Sequence, residues 1–72
     1  MEMQSSRYTL ACDRFGNYLL TRLSDNASAY FQGDDAWEWD KTVAALCRVK
    51  QSRRTEIFDS LASEYDCVLE VE

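Results

Sequence analysis

Residues 7–24 read RYTLACDRFGNYLLTRLS. Tyr8, Leu10 and Cys12 alternate with Thr9, Ala11 and Asp13, the period of a strand with one buried face, and a second run with β-forming residues, NYLLTRLS, fills 17–24. The DRFGN between them closes a hairpin in one of two ways. A two-residue Gly16-Asn17 turn aligns the first strand with Leu19, Thr21 and Leu23. A type I turn with Gly16 in the left-handed region, forming a bulge, instead pairs Asp13 with Asn17 and aligns Tyr8, Leu10 and Cys12 with Tyr18, Leu20 and the stem of Arg22.

The next strand favours the bulged closure. A turn at Asp25-Asn26 leads into ASAYFQ over 27–32, and two-residue pairing about that turn sets Phe31 beside Leu20 and Tyr30 beside Thr21. The bulged register then gathers Tyr8, Leu10, Cys12, Tyr18, Leu20, Ala29 and Phe31 on one face. The opposite face carries Thr9, Ala11, Leu19, Thr21, Leu23 and Tyr30, apolar enough to serve as a homodimer or partner surface.

Gly33 ends that strand. Asp35 with Glu38 three residues later fits a capping box, so a helix is expected from Ala36 to Lys50 with an apolar stripe of Ala36, Trp39, Val43, Leu46 and Cys47. The polar QSRRT of 51–55 interrupts the stripe before a second helix carrying Ile57, Phe58, Leu61, Ala62 and Tyr65, capped by Ser52 or Thr55. Alternation of Cys67, Leu69 and Val71 predicts a last strand. The expected fold is therefore α+β, β-β-β-α-α-β: an antiparallel three-stranded meander, two helices packed on one face and a C-terminal fourth strand. Residues 1–6 are expected as a loose N-terminus and 7–72 as one small domain.

Composition narrows the chemistry. The 72 residues contain 13 acids, 8 bases and no histidine, a net charge of −5 that favours basic partners over phosphate backbones. Without histidine the commonest general base and zinc ligand are absent. DRFGN and FQGDD are single-glycine turns without a nucleotide-binding pattern. Asp34, Asp35, Glu38 and Asp40 lack the spacing of a calcium loop, and acids in a first helical turn are common because the dipole favours them. No catalytic residue, cofactor or metal is expected. Cys12, Cys47 and Cys67 are odd in number and widely spaced, and are expected as buried reduced thiols. With no apolar run near the length of a span and no signal-peptide layout, a cytoplasmic protein is expected.

Trp37 and Trp39 carry the functional expectation. Positions two apart on a helix cannot both face the core, and Trp39 continues the stripe, which leaves Trp37 outside among Asp34, Asp35, Glu38 and Asp40. An exposed tryptophan ringed by carboxylates suits a protein partner with a basic surface. In size and charge the chain resembles small acidic accessory proteins of phages and plasmids, including anti-CRISPR and nucleic-acid-mimicking inhibitors, which implies a non-enzymatic protein-binding module or inhibitor. The alternative is a dimeric nucleic-acid-binding regulator using Arg48, Lys50, Arg53 and Arg54. Against it, the following helix carries Glu56, Asp59 and Glu64 where it would meet a phosphate backbone.

Overall fold

The computed structural model describes residues 2–71. Four antiparallel strands, β1 (Glu2–Gln4), β2 (Tyr8–Cys12), β3 (Tyr18–Arg22) and β4 (Ser28–Phe31), form one sheet in sequence order. Two helices follow, α1 (Asp34–Leu46) and α2 (Gln51–Ser63), and then a 3-10 turn over Asp66–Val68. The class is α+β, with the strands preceding the helices.

The β2–β3 hairpin closes with the bulge. Asp13 N–H donates to the Asn17 carbonyl at 2.9 Å and Gly16 N–H to the Asp13 carbonyl at 3.3 Å. Gly16 has φ +81°, which a residue with a Cβ avoids. Cys12 pairs with Tyr18, Leu10 with Leu20 and Tyr8 with Arg22. The Asp13 carboxylate fixes this turn by accepting from the N–H groups of Phe15 (2.8 Å) and Asn17 (3.0 Å) and from the Tyr30 hydroxyl (2.6 Å).

The β3–β4 pairing differs from expectation by two residues. Tyr18 pairs with Phe31 and Leu20 with Ala29, because the loop is four residues long, Leu23–Asn26, and not a two-residue turn. Asn26 takes φ 61°, its N–H returns to the Arg22 carbonyl at 2.8 Å, and Arg22 N–H donates to the Ala27 carbonyl at 2.7 Å. A shift of two keeps every side chain on its face, so the core set survives.

The ends of the chain exchange roles. The residues expected as a loose N-terminus form the edge strand β1, in which Met3 lies opposite Leu10 and is buried. Ser5 ties the β1–β2 turn to α2: its hydroxyl donates to Asp59 Oδ1 at 2.7 Å and accepts from Tyr8 N–H at 3.1 Å. Arg7 adds an Nε–H bond to Asp59 Oδ2 at 3.0 Å. The expected C-terminal strand shrinks to one bridge, in which Ser28 and Glu70 exchange backbone bonds of 2.9 and 3.0 Å. Asp66 explains the loss. Its carboxylate accepts from the Tyr8 hydroxyl at 2.7 Å and Arg22 NH1 at 2.8 Å, which pins the chain in a 3-10 turn before it can run along β4. Leu69 alone of the alternating residues is buried.

Helix boundaries also move. α1 starts at Asp34 with Gly33 (φ 61°, ψ −129°) as N-cap and no side-chain cap, so the expected capping box of Asp35 and Glu38 does not form. α1 stops at Leu46, short of Lys50, and α2 absorbs Gln51 to Thr55. With neither glycine nor proline at the break, Arg54 terminates α1. Its guanidinium donates to the Leu46 carbonyl at 2.9 Å, which also accepts the Val49 N–H at 3.1 Å, and to the Val49 carbonyl at 3.0 Å just beyond the helix. Neither Ser52 nor Thr55 caps α2; the Thr55 hydroxyl donates back to the Gln51 carbonyl at 3.2 Å.

Ala36, Trp39, Val43 and Leu46 of α1 and Phe58 and Ala62 of α2 bury against Tyr8, Leu10, Tyr18, Leu20 and Phe31 of the sheet. The three thiols are free, yet they are not the buried groups expected. Cys12 is half-buried, while Cys47 follows the last residue of α1 and Cys67 sits in the 3-10 turn, both exposed because the apolar periodicity has ended there. No described helix is long and apolar enough to cross a membrane.

Candidate functional site

Successive helical residues turn by about 100°, so side chains two apart diverge by about 200°. Trp39 is 3% exposed and lies against Tyr65 (ring centroids 5.2 Å apart), Phe31 (5.9 Å) and Phe58 (6.4 Å). Trp37 is 61% exposed. Lys41 Nζ stands 4.4 Å from the centroid of the Trp37 ring and 3.7 Å from Glu38 Oε1.

The carboxylates expected around Trp37 do not form one ring. By helical spacing Asp34, Trp37, Glu38 and Lys41 share the outer face of α1, with Asp40 on one flank and Asp35 on the other. Asp40 is exposed and accepts a hydrogen bond from the Tyr18 hydroxyl at 3.0 Å. Burial, then this contact, pushes the Tyr18 hydroxyl above its ordinary pKa. Asp34 and Asp35 are exposed and enter no ion pair among the described residues. Lys41 is thus the one base set among four acids.

The basic segment is also divided. Arg48, Lys50 and Arg53 are exposed around the break between the helices, whereas Arg54 is half-buried and engaged with the carbonyls that end α1. Only three of the four bases remain for a phosphate backbone.

A polar network that the sequence reading missed lies at the end of the sheet. Arg22 binds Asp25 through Nε–Oδ1 at 2.9 Å and NH2–Oδ2 at 2.7 Å, and reaches Asp66 through NH1. The Asp25 carboxyl is held down to about 2, first by the Arg22 guanidinium and then by Ala27 N–H. Asp66 is lowered by Arg22 and Tyr8, and Asp59 by Arg7 and Ser5. The Asp13 carboxyl falls to about 2 under the Tyr30 hydroxyl and the turn N–H groups. Arg22–Asp25 and the bonds of Asp13 and Asp25 to turn N–H groups lie within four residues, whereas the contacts of Tyr30, Asp59 and Asp66 join positions remote in sequence.

On the outer sheet face Leu19, Leu23 and Tyr30 are exposed. Comparisons with protein-family models, curated proteins and solved structures return no match.

Proposed function

We propose that this chain is a non-enzymatic protein-binding module that meets a basic partner through the outer face of α1. The observation that carries the reading is the exposure of Trp37 on a well-formed helix whose neighbouring tryptophan fills the core. A large indole left outside, with Asp34, Glu38 and Lys41 around it, has the character of an interface anchor. Surplus negative charge on the flanks, Asp35 and Asp40, steers a cationic surface toward it. An inhibitory role of the phage or plasmid accessory kind draws its support from small size and a net charge of −5. Self-association, where present, uses the outer sheet face with Leu19, Leu23 and Tyr30.

Affinity capture from the source cell, read by mass spectrometry, tests the docking face. Wild type should enrich basic proteins that a folded Trp37→Ala variant fails to hold, and salt near 0.5 M should reduce the yield because exposed charges are then strongly screened. Equal capture by a folded Trp37→Ala variant would overturn the reading. Sedimentation of wild type beside a Leu19→Lys, Tyr30→Lys variant tests the dimer: a wild-type monomer removes it.

A further inference from the structure

The strand pairing lays out the outer face of the sheet in rows. One row crosses Gln4, Thr9, Thr21 and Ser28, and the next crosses Glu2, Ala11, Leu19 and Tyr30. Beyond Glu2 on the edge strand neither row holds a charged residue, although 29% of the chain is charged. The charges that bound the rows are engaged within the chain. Asp13, at the hairpin end, accepts from Phe15 N–H, Asn17 N–H and the Tyr30 hydroxyl, and Arg7, at the other end, reaches Asp59 on α2.

We propose that this face closes on the same face of a second copy, in a two-fold dimer. Its chemistry selects that occupant. A two-fold contact sets a patch against itself, so whatever the patch offers it must also accept. The hydroxyls of Thr9, Thr21 and Ser28 and the amide of Gln4 each donate and accept, and Ala11 and Leu19 suit their own kind. Net charge gives a second argument. Each copy carries −5, so two copies repel overall and meet most readily where no like charges are set face to face. The outer face of α1, with its acids, fails that condition; the sheet face meets it. Tyr30 is held by its 2.6 Å bond to Asp13, so ordering its ring on contact costs little.

Four strands about 4.8 Å apart, with about five residues of about 3.4 Å each, give a footprint of about 300 Å². A standard interface buries about 800 Å² per partner, so the dimer is a weak one. α1 covers the inner sheet face with Trp39 turned inward and Trp37 outward, so both Trp37 faces stay on the outside of the dimer, which becomes bivalent for the partner. The inference rests on self-association through the sheet and is independent of docking at Trp37.

Sedimentation equilibrium and amide NMR over about 20 μM to 2 mM test it. The mass should rise toward twice that of the monomer, with the amides of Thr9, Ala11, Leu19 and Thr21 shifting and those of α1 still. Added salt should strengthen association several-fold, because it screens the repulsion between copies and breaks no ion pair; docking at Trp37 has the opposite salt response. Thr21→Lys and Thr21→Glu should each be monomeric alone and associate when mixed, since only a face that meets itself behaves so. A wild type monomeric at the highest concentration, shifts confined to α1, or undiminished association in Thr21→Lys overturns the proposal. The first result beside Trp37-dependent capture leaves the docking face standing, and beside capture that depends on Leu19 and Tyr30 gives the sheet face to another protein. Dimerisation unchanged in Trp37→Ala supports the proposal whatever that variant captures; dimerisation lost there places the contact on α1 and overturns it.

Discussion

Replacing each tryptophan by alanine separates the two faces of α1 energetically. Trp39 is sealed among Phe31, Phe58 and Tyr65, so Trp39→Ala opens a cavity and should cost about 3–5 kcal/mol. A chain of 72 residues has a total stability of only about 4–11 kcal/mol at usual per-residue values. With a urea slope of about 1 kcal/mol per M for so small a domain, the midpoint should fall by about 3 M or more, and a less stable parent would not fold at all. Trp39→Phe, which keeps an aromatic ring, should retain a measurable transition. Trp37→Ala loses an exposed cation–π contact with Lys41, about 0.5–1 kcal/mol, and recovers most of it because alanine favours the helix by up to about 0.7 kcal/mol. Its midpoint should stay within about 0.5 M of wild type. Urea unfolding followed by far-UV circular dichroism measures both. Comparable losses from the two variants would refute the assignment of Trp37 to the outside and remove the candidate site with it.

Arg54→Ala removes the donors that close α1 and should cost about 1–2 kcal/mol in thermal unfolding, whereas Arg53→Ala next to it should stay within about 0.5 kcal/mol. Asp13 and Asp25 have folded pKa values near 2, below the ~3.9 of an unfolded chain, so the stability they confer is whole above pH ~4 and is lost as pH falls toward 2. Asp59 and Asp66 shift in the same direction, so acid titration by circular dichroism should show unfolding in that window, and Arg22→Gln should move its onset to higher pH. Gly33→Ala should cost about 1–3 kcal/mol in urea unfolding from backbone strain alone, since a Cβ there meets nothing within 4 Å while φ is +61°.

The elements with strong periodicity were legible from sequence. Tyr8, Leu10, Tyr18 and Leu20 alternate, Gly16 marks the bulge, and Ala36, Trp39, Val43 and Leu46 recur at helical spacing; all lie where that pattern puts them. What was hidden depends on contacts remote in sequence. β1 is three residues long, too short for alternation to stand out, and it is held by Ser5 and Arg7 reaching Asp59 more than fifty positions away. The C-terminal alternation was genuine, but Asp66 follows Tyr8 and Arg22 instead of the strand pattern. The helix break had no local breaker because an arginine eight residues beyond Leu46 supplies it. Within the candidate site, the divergence of the two indoles could be read from helical geometry, and Lys41 over Trp37 is a spacing of four that the same geometry contains.

Three of the eight bases of this small acidic chain are committed to its architecture, which narrows what its surface can offer. Arg7 and Arg22 tie turns to α2 and to the 3-10 segment, and Arg54 closes α1. The exposed bases Arg48, Lys50 and Arg53 gather at the break between the helices, about 20 Å along α1 from its acidic start at 1.5 Å per residue. Asp34 and Asp35 have an ordinary reason to stand at that start, since acids in a first turn offset the helix dipole. Asp40 has the Tyr18 hydroxyl. Glu38 has neither explanation: it lies beyond the first turn, and a 3.7 Å pairing of two exposed side chains with Lys41 contributes about 0–1 kcal/mol. Trp37, Glu38 and Lys41 therefore form a group bound to one another only weakly. A cation brought by a partner would displace little in taking Lys41's place there, which supports proposing this face, and not the paired network at the sheet end, for recognition.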